Sequence, residues 1–186
     1  FSNSSIHNAP IKVMKWSTSG KRLVTGDDNG LVCIWDSDSR GVLTPIRQYR
    51  KKGSIVSAVF YIPVSRIDPL KKATDSSCCI FFGTSEGGLV YADDLNHSQE
   101  IQQLGHSIDI MLFNEERSRL IVITRNLSLV IYQVSEDRKV SRVSQVKLSV
   151  SRDLSLDGLK SVVWTIPGVI AMASQEKLVR LLDVVA

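Results

Sequence analysis

Residues 6–36 read IHNAPIKVMKWSTSGKRLVTGDDNGLVCIWD, and this stretch decides the fold. His7 precedes an apolar run that ends at Trp16, and a polar turn follows. A second apolar run leads into the tight turn Asp27–Gly30, and a third run ends in the pair Trp35-Asp36. Strand-length apolar runs separated by turns rich in Asp, Asn and Gly predict an antiparallel three-stranded meander.

The same arrangement recurs along the chain at intervals of roughly 45–55 residues, at or above the period of a WD40 blade. Four times an aliphatic residue is followed five positions later by an aromatic residue: Ile11 and Trp16, Ile55 and Phe60, Ile108 and Phe113, Leu159 and Trp164. Each pair opens a unit of β-rich runs and polar turns. The units predict four blades, at residues 6–50, 54–104, 106–150 and 159–186.

The predicted fold is all-β, with residues 1–186 forming a single domain, a partial WD40 β-propeller of about four blades of four-stranded antiparallel sheet. Inner runs such as residues 119–124, RLIVIT, are apolar on both sides, as strands between neighbouring blades are. The fourth unit stops at Ala186 after its third run. We therefore expect an open arc with apolar faces at both ends, prone to self-association and to unfolding with low cooperativity.

An insertion at residues 63–77 separates the first two runs of the second unit. It carries two prolines and the bases Arg66, Lys71 and Lys72, which predict a surface loop and not a strand. Successive antiparallel connections lie at opposite ends of a sheet, so this loop should project away from the Asp27–Gly30 turn. Loops on rigid scaffolds often carry binding. The three bases are therefore candidate partner contacts; a plain surface loop is the alternative.

The resemblance to WD40 blades implies a structural role for several residues. In such blades a loop His, a Ser or Thr, a turn Asp and the Trp form a buried hydrogen-bonded set, which satisfies the indole N–H. His7 and Trp35 stand at suitable positions. The turn has Asp and Asn where Ser/Thr and Asp are usual, which predicts a partial set. The structural positions of the repeat are His7, Trp16, Trp35, Asp36, Phe60, His106, Phe113 and Trp164.

The later units depart from this pattern. The Trp-Asp pair becomes Asp93-Asp94, Tyr132-Gln133 and Leu182-Asp183, while His106 is expected to repeat the position of His7. The four aromatic residues that end the first runs should be largely buried between blades.

No catalytic or metal-binding pattern is present. The chain has no GxSxG, no HExxH and no phosphate-binding glycine loop. Its three His residues lack ligand spacing, and there is no CxxC. Asp93 and Asp94 would point to opposite faces of a strand, as at a solvated strand end. We therefore predict no enzyme, no cofactor and no metal.

Composition sets further limits. The net charge of +4 is spread along the chain, whereas nucleic-acid binders concentrate their bases on one face. No run reaches the ~20 apolar residues of a membrane span, and no leader sequence is visible. Three cysteines without framework spacing favour a reducing compartment. A cytoplasmic location is expected, so the three Asn-x-Ser sequons are not expected to be glycosylated.

The order of several stretches resembles one family more closely. GVLTPIRQYRKKGSIVSAVFYIP, GTSEGGLVYADD and IDIMLFNEERSRLIVITRNLSLVIYQVSED follow one another as in the N-terminal propeller of intraflagellar transport protein 140, a subunit of intraflagellar transport complex A. The resemblance implies a scaffold that binds other complex A subunits and supports retrograde transport and membrane-cargo entry in cilia. It implies no catalytic residues and no small-molecule substrate.

Two other functions remain open from the residues alone. One is a WD40 adaptor in another trafficking or signalling assembly, which the sequence beyond this stretch would distinguish. The other is an RNA-associated WD40 protein, for which a salt-dependent affinity for RNA would speak.

Overall fold

The chain folds into an open arc of four antiparallel sheets. The computed structural model describes residues 6–61, 78–135, 139–148, 159–166, 168–174 and 178–184, and in these residues there are fifteen strands and no helix. The strands pair in chain order, into three sheets of four strands and one of three. The predicted all-β fold, a partial β-propeller, is thereby confirmed.

Each sheet is one blade. The first blade contains β1 (Ile11–Trp16), β2 (Arg22–Asp27), β3 (Leu31–Ser37) and β4 (Leu43–Arg50). The second contains β5 (Ile55–Tyr61), β6 (Cys79–Thr84), β7 (Gly88–Asp93) and β8 (Ser98–Gln103). The third contains β9 (Ile108–Asn114), β10 (Arg119–Thr124), β11 (Ser128–Val134) and β12 (Val140–Lys147). The fourth contains β13 (Leu159–Ile166), β14 (Val169–Ser174) and β15 (Val179–Asp183).

The strand register repeats from blade to blade. Trp16 pairs with Leu23, and the same place is taken by Phe60 with Ile80, Phe113 with Leu120, and Trp164 with Ile170. The pairing of first and second strands is also interrupted at the same point in each blade, between Ile11 and Val13 in the first. The four repeat aromatics therefore occupy equivalent positions near the ends of first strands.

The core consists of apolar layers between neighbouring blades. Alternate residues of a strand face opposite sides of its sheet. In the second blade, Ile80 and Phe82 pack towards the first blade, and Phe81 and Leu89 pack towards the third. A further layer joins the third and fourth blades through residues such as Ile121 and Ile170. This explains why the inner strands are apolar on both sides.

Each of the first two junctions seats an isoleucine on a glycine. A Cβ placed on Gly26 would lie 2.7 Å from Ile55 Cβ, and one placed on Gly83 would lie 2.6 Å from Ile108 Cβ. Any side chain at either glycine would collide with the isoleucine that begins the next blade. Glycine is thus required here for close approach.

Polar contacts join the outer parts of the blades. The Tyr49 hydroxyl of β4 donates to the carbonyl of Asp93 in the second blade. The Tyr132 hydroxyl of β11 donates to Gln102 Oε1 of the second blade at 2.7 Å. Each of these two junctions is therefore held by apolar packing near the arc centre and by a hydrogen bond farther out.

The insertion at 63–77 lies outside the described residues, so its predicted loop stays a prediction. The sheet of the fourth blade has three strands in the part of the chain that the structure describes. Among the described residues there is no helix with the length and hydropathy that a membrane span needs.

Candidate functional site

A hydrogen-bonded cluster ties the segment before β1 to the first blade. His7 Nδ1 lies 2.9 Å from Asp27 Oδ2, and His7 Nε2 lies 2.6 Å from Thr25 Oγ1. The indole N–H of Trp35 donates to Thr25 Oγ1 at 2.8 Å. One assignment satisfies every group: the Thr25 hydroxyl donates to Nε2, and the Nδ1 proton goes to Asp27. We call these four residues the blade-one cluster.

Asp27 also holds the turn that follows it. Its Oδ1 accepts the backbone N–H groups of Asn29 at 3.0 Å and Leu31 at 2.9 Å. Burial raises the pKa of Asp27, but the hydrogen bonds from His7, Leu31 and Asn29 outweigh that effect and leave the pKa below its usual value. Asp27 is therefore a buried carboxylate whose charge is satisfied by one side-chain donor and two backbone donors.

The expectation of a partial set is wrong, because the blade-one cluster is complete. From the sequence we expected the Ser or Thr of the set in the turn. Thr25 instead lies within β2, two residues before Asp27. Residues two apart on a strand share a face, so Thr25 and Asp27 both reach His7. The alternation of residues 25–27, Thr-Gly-Asp, along a strand would have predicted that Thr25 and Asp27 share a face.

The Trp-Asp pair of the first blade has two separate roles. Trp35 is buried and belongs to the blade-one cluster, whereas the Asp36 carboxylate pairs with the guanidinium of Arg22 on β2. In the second blade the register pairs Ile80 with Ala92, just as Leu23 pairs with Trp35. The corresponding pair there is Ala92-Asp93, so the predicted pair Asp93-Asp94 was displaced by one residue.

Asp93 is not a solvated strand end, and that expectation is wrong. Its carboxylate is buried, and Oδ1 accepts the N–H groups of Leu95 at 2.9 Å and His97 at 3.0 Å. Burial acts to raise the pKa of Asp93, but its hydrogen bonds with His97 and Leu95 outweigh burial and leave the pKa lowered. Asp94 Oδ2 accepts from the backbone N–H of Cys78 at 2.8 Å. Asp93 thus organises the turn after β7, whereas Asp94 holds the residue that precedes β6.

Threonines take the place of Asp27 in the next two blades. Thr84 Oγ1 accepts the N–H of Gly88 at 2.9 Å, and Thr124 Oγ1 accepts that of Ser128 at 3.2 Å. Each acceptor is four residues before its donor, as with Asp27 and Leu31. In all three turns the residue three positions after the acceptor has a positive φ; these residues are Gly30, Gly87 and Leu127. The same turn is therefore built three times with different side chains.

His106 does not reproduce the contact of His7. It lies two residues before β9, whereas His7 lies four residues before β1, and its side chain is exposed. In the third blade, Val122 takes the place of Thr25 and Tyr132 takes the place of Trp35. The Tyr132 hydroxyl donates to Gln102. The third blade thus replaces the cluster by apolar packing and a bond to the second blade.

The four repeat aromatics line one cavity at the centre of the arc. It has a volume of about 330 Å³, and all four blades contribute: Trp16, Phe60, Phe113 and Trp164 form its aromatic lining. Its polar lining includes Lys15, Arg22, Glu115 and the hydroxyls of residues 17–19. The cavity therefore combines an aromatic lining with a few charged and hydroxyl groups.

The expected burial of these aromatics is wrong for Trp16, which is half exposed, while Phe60, Phe113 and Trp164 are half-buried. The reason is position: in the described residues no blade covers the side of β1 on which Trp16 projects. The indole N–H of Trp164 is buried and has no hydrogen-bond partner in the described part of the chain.

Two histidines of the described residues pair with an aspartate of their own blade. His7 contacts Asp27 in the first blade, and His97 contacts Asp93 in the second. Burial raises the pKa of the Cys33 thiol to about 12, and burial together with nearby Asp94 also raises that of Cys78. These thiols stay protonated and are poor nucleophiles. Within the described ranges no three His, Cys, Asp or Glu residues are grouped to hold a metal.

A family model described as "IFT140 first beta-propeller" matches the chain in two overlapping pieces, residues 1–76 and 63–186. Among solved structures, the chain is similar to the computationally designed Ika4 protein, with a TM-score of 0.67 at 9% identity over 96% of this chain and 93% of that one.

It is also similar to a chain in the crystal structure of the Mitotic Checkpoint Complex. The TM-score there is 0.70 at 15% identity, over 97% of this chain and 49% of that one. The chain thus spans about half the length of that match. At these identities the likeness shows a shared fold.

Proposed function

Since this chain belongs to the family of the first β-propeller of IFT140, we propose that it is a protein-binding scaffold of intraflagellar transport complex A. In this role it supports retrograde ciliary transport, cilium assembly and the entry of membrane cargo. It acts without catalysis, and it works in the cytoplasm, at the ciliary base and along the axoneme. The observation that carries the proposal is the family match, which extends over the whole chain.

The physical character of the molecule supports this role. The described residues form rigid blades whose turns are held by buried acceptors such as Asp27, Asp93 and Thr84. Rigid blades present their turns and outer strands at fixed positions, which is what a scaffold of several partners requires. The buried polar side chains Thr25, Asp27 and Asp93 are used inside the blades to hold that shape.

The experiment uses the full-length protein in ciliated cells that lack their own copy. We expect the wild type to co-purify the other complex A subunits and to restore the velocity and frequency of retrograde trains. A variant without residues 6–184 should lose one or more of these subunits and leave material at ciliary tips. Unchanged subunit composition and unchanged retrograde traffic in that variant would overturn the proposal.

The insertion at 63–77 is proposed as a partner contact within this function. Its bases Arg66, Lys71 and Lys72 belong to a stretch with two prolines and no strand pattern, and a basic loop suits an acidic protein surface. Replacing all three by Ser should weaken a subunit contact, most at low salt. The matched control replaces three exposed bases of the outer strands, Arg47, Arg50 and Arg142. Equal effects of the two triple variants would remove the insertion from the interface.

A further inference from the structure

A cleft lies between the third and fourth blades, where their first strands end. It has a volume of about 360 Å³, and its lining includes Phe113, Glu115, Glu116, Trp164, Thr165 and Ile166. The two blades pack on each other through the apolar layer that contains Ile121 and Ile170. The cleft therefore belongs to an internal junction of the arc, and its walls do not depend on what adjoins β1 or β15.

The cleft carries negative charge. Glu115 and Glu116 lie on the turn after β9, both are exposed, and the lining contains no base. On other turns an exposed carboxylate has a cationic partner: Asp28 Oδ2 lies 3.6 Å from Lys12 Nζ, and Glu86 Oε2 lies 3.2 Å from Lys52 Nζ. Within the described ranges neither Glu115 nor Glu116 forms such a pair. The cleft is thus complementary to a cation.

The cleft also contains a polar group without a partner. The indole N–H of Trp164 is buried, and no residue in the described part of the chain accepts its hydrogen bond. The indole N–H of Trp35, in contrast, donates to Thr25 Oγ1 at 2.8 Å. Buried N–H donors are nearly always paired in folded proteins. The indole of Trp164 therefore leaves a place for an acceptor that an occupant of the cleft would supply.

These features together select the kind of occupant. Two carboxylates beside aromatic rings suit an arginine side chain, because a guanidinium stacks on a ring face and donates to carboxylates at the same time. A divalent metal ion fits less well, since within the described ranges no three His, Cys, Asp or Glu residues are grouped to hold one. A peptide also brings a backbone carbonyl oxygen for the indole N–H, which a free cation lacks.

We propose that this cleft binds an arginine side chain from an extended segment of a partner protein. The guanidinium lies against the ring of Trp164 and pairs with the carboxylates of Glu115 and Glu116. A backbone carbonyl of the same segment accepts the indole N–H, which the segment reaches by displacing the half-buried ring. The inference rests on the proposed scaffold function and adds the chemistry of one partner contact to it.

The test measures the binding of a blocked Gly-Arg-Gly tripeptide to the purified full-length protein by saturation-transfer NMR, observed on the arginine methylene protons. We expect saturable binding in the roughly millimolar range of a ligand held by one side chain. A matched peptide with citrulline in place of arginine keeps the shape but loses the charge, so it should bind at least about tenfold more weakly. Raising the salt concentration should weaken only the arginine peptide.

Variants of the protein locate the binding. Glu115→Gln combined with Glu116→Gln should weaken the arginine peptide at least about tenfold, whereas the control Glu100→Gln, at an exposed carboxylate of β8, should leave its affinity unchanged. Trp164→Leu should weaken it about fivefold, because the ring face is lost. The control Trp16→Leu removes a tryptophan that lines the central cavity but not this cleft. Circular dichroism checks that each variant is folded.

Equal affinity for the arginine and citrulline peptides, no binding of either, or full affinity in the double glutamine variant would each overturn the proposal. So would tighter peptide binding when Arg66, Lys71 and Lys72 are replaced by Ser, because bases of the same chain would then be the occupant; we expect no change there. The measurement uses purified protein and a synthetic peptide. A failure here therefore leaves the scaffold function to be decided separately, by the subunit composition in cells.

Discussion

The first and third blades build the same turn from different chemistry. In the first, Asp27 accepts the backbone N–H of Leu31 and is itself held by His7. In the third, Thr124 accepts the backbone N–H of Ser128, and no histidine among the described residues contacts it. The carboxylate needs more partners than the hydroxyl because it carries a charge into a buried site. The fold thus demands an acceptor at this position, and a charged acceptor requires a surrounding network.

The third strands of these two blades carry an aromatic residue at the same register position, Trp35 in the first and Tyr132 in the third. The hydrogen bonds of these two residues also differ. Trp35 donates its N–H within its own blade, to Thr25. Tyr132 donates its hydroxyl across a junction, to Gln102 of the second blade. The network of the first blade therefore stabilises that blade internally, whereas the third blade is tied to its neighbour.

The largest expected effect is on Trp35. Trp35→Ala should lower the free energy of unfolding by about 3–5 kcal/mol, because it empties a buried site. The same change at Trp16, which is half exposed, should cost about 1 kcal/mol or less. Urea denaturation of both variants measures the difference. Equal losses would mean that Trp16 is covered in solution.

Exchanging the residue types of the two blades should destabilise both. Thr25→Val removes the oxygen shared by His7 and Trp35 and should cost about 2–3 kcal/mol, since two buried polar groups lose a partner. Val122→Thr places a hydroxyl in the apolar layer of the third blade and should cost about 1–3 kcal/mol. Thermal and urea unfolding check both. A neutral Thr25→Val would mean that the blade-one cluster contributes nothing to stability.

The charge of Asp27 should appear in acid. Its folded pKa lies below the ordinary value, so its contribution is fully present above the unfolded pKa of about 3.9 and is lost as the pH falls through the lower folded value. Asp27→Asn should cost about 1–2 kcal/mol at pH 7 and make stability less dependent on pH below about 4. Some acid dependence should remain, because the pKa of Asp93 is also lowered. Identical pH profiles of unfolding for wild type and variant would mean that the Asp27 charge does not stabilise the fold.

The smallest expected effect is at the threonine turns. Thr84→Val and Thr124→Val each remove one acceptor at nearly constant shape and should cost about 0.5–1.5 kcal/mol. Neither change should alter the acid dependence, since no charge is involved. Chemical denaturation of both variants at pH 7 and in acid measures these effects. If either variant lost as much free energy of unfolding as Thr25→Val, the hydrogen-bonded network of the first blade would contribute no more than a single hydrogen bond.

The repeat of aliphatic and aromatic residues was enough to predict the blades, because the spacing from Ile11 to Trp16 recurs wherever a first strand begins. Thr25 escaped prediction because its role depends on sharing a strand face with Asp27, not on the turn. The error at Asp93 has a similar cause: two adjacent aspartates look alike as letters, and only the register with Cys79 shows which one is buried.

The exposure of Trp16 could not be predicted from the repeat. Trp16 follows Ile11 by five positions, just as Phe60 follows Ile55. Its burial depends on whether another sheet lies against it, which the repeat does not reveal. The contact of Tyr49 with Asp93 was also beyond sequence reasoning, because it joins strands of different blades through a side chain and a backbone carbonyl.

The strictly sequential strand order has a consequence for synthesis. Each described sheet is made of consecutive strands, so its pairing needs no residue from a later blade. Local pairing of this kind closes short loops and forms early. As the chain leaves the ribosome, the first blade can form while the third is still being translated, and each finished blade then offers its apolar side as a template for the next. Thr25→Val should therefore slow formation of the first blade and delay the packing of each later blade. Val122→Thr should leave the first two blades assembled.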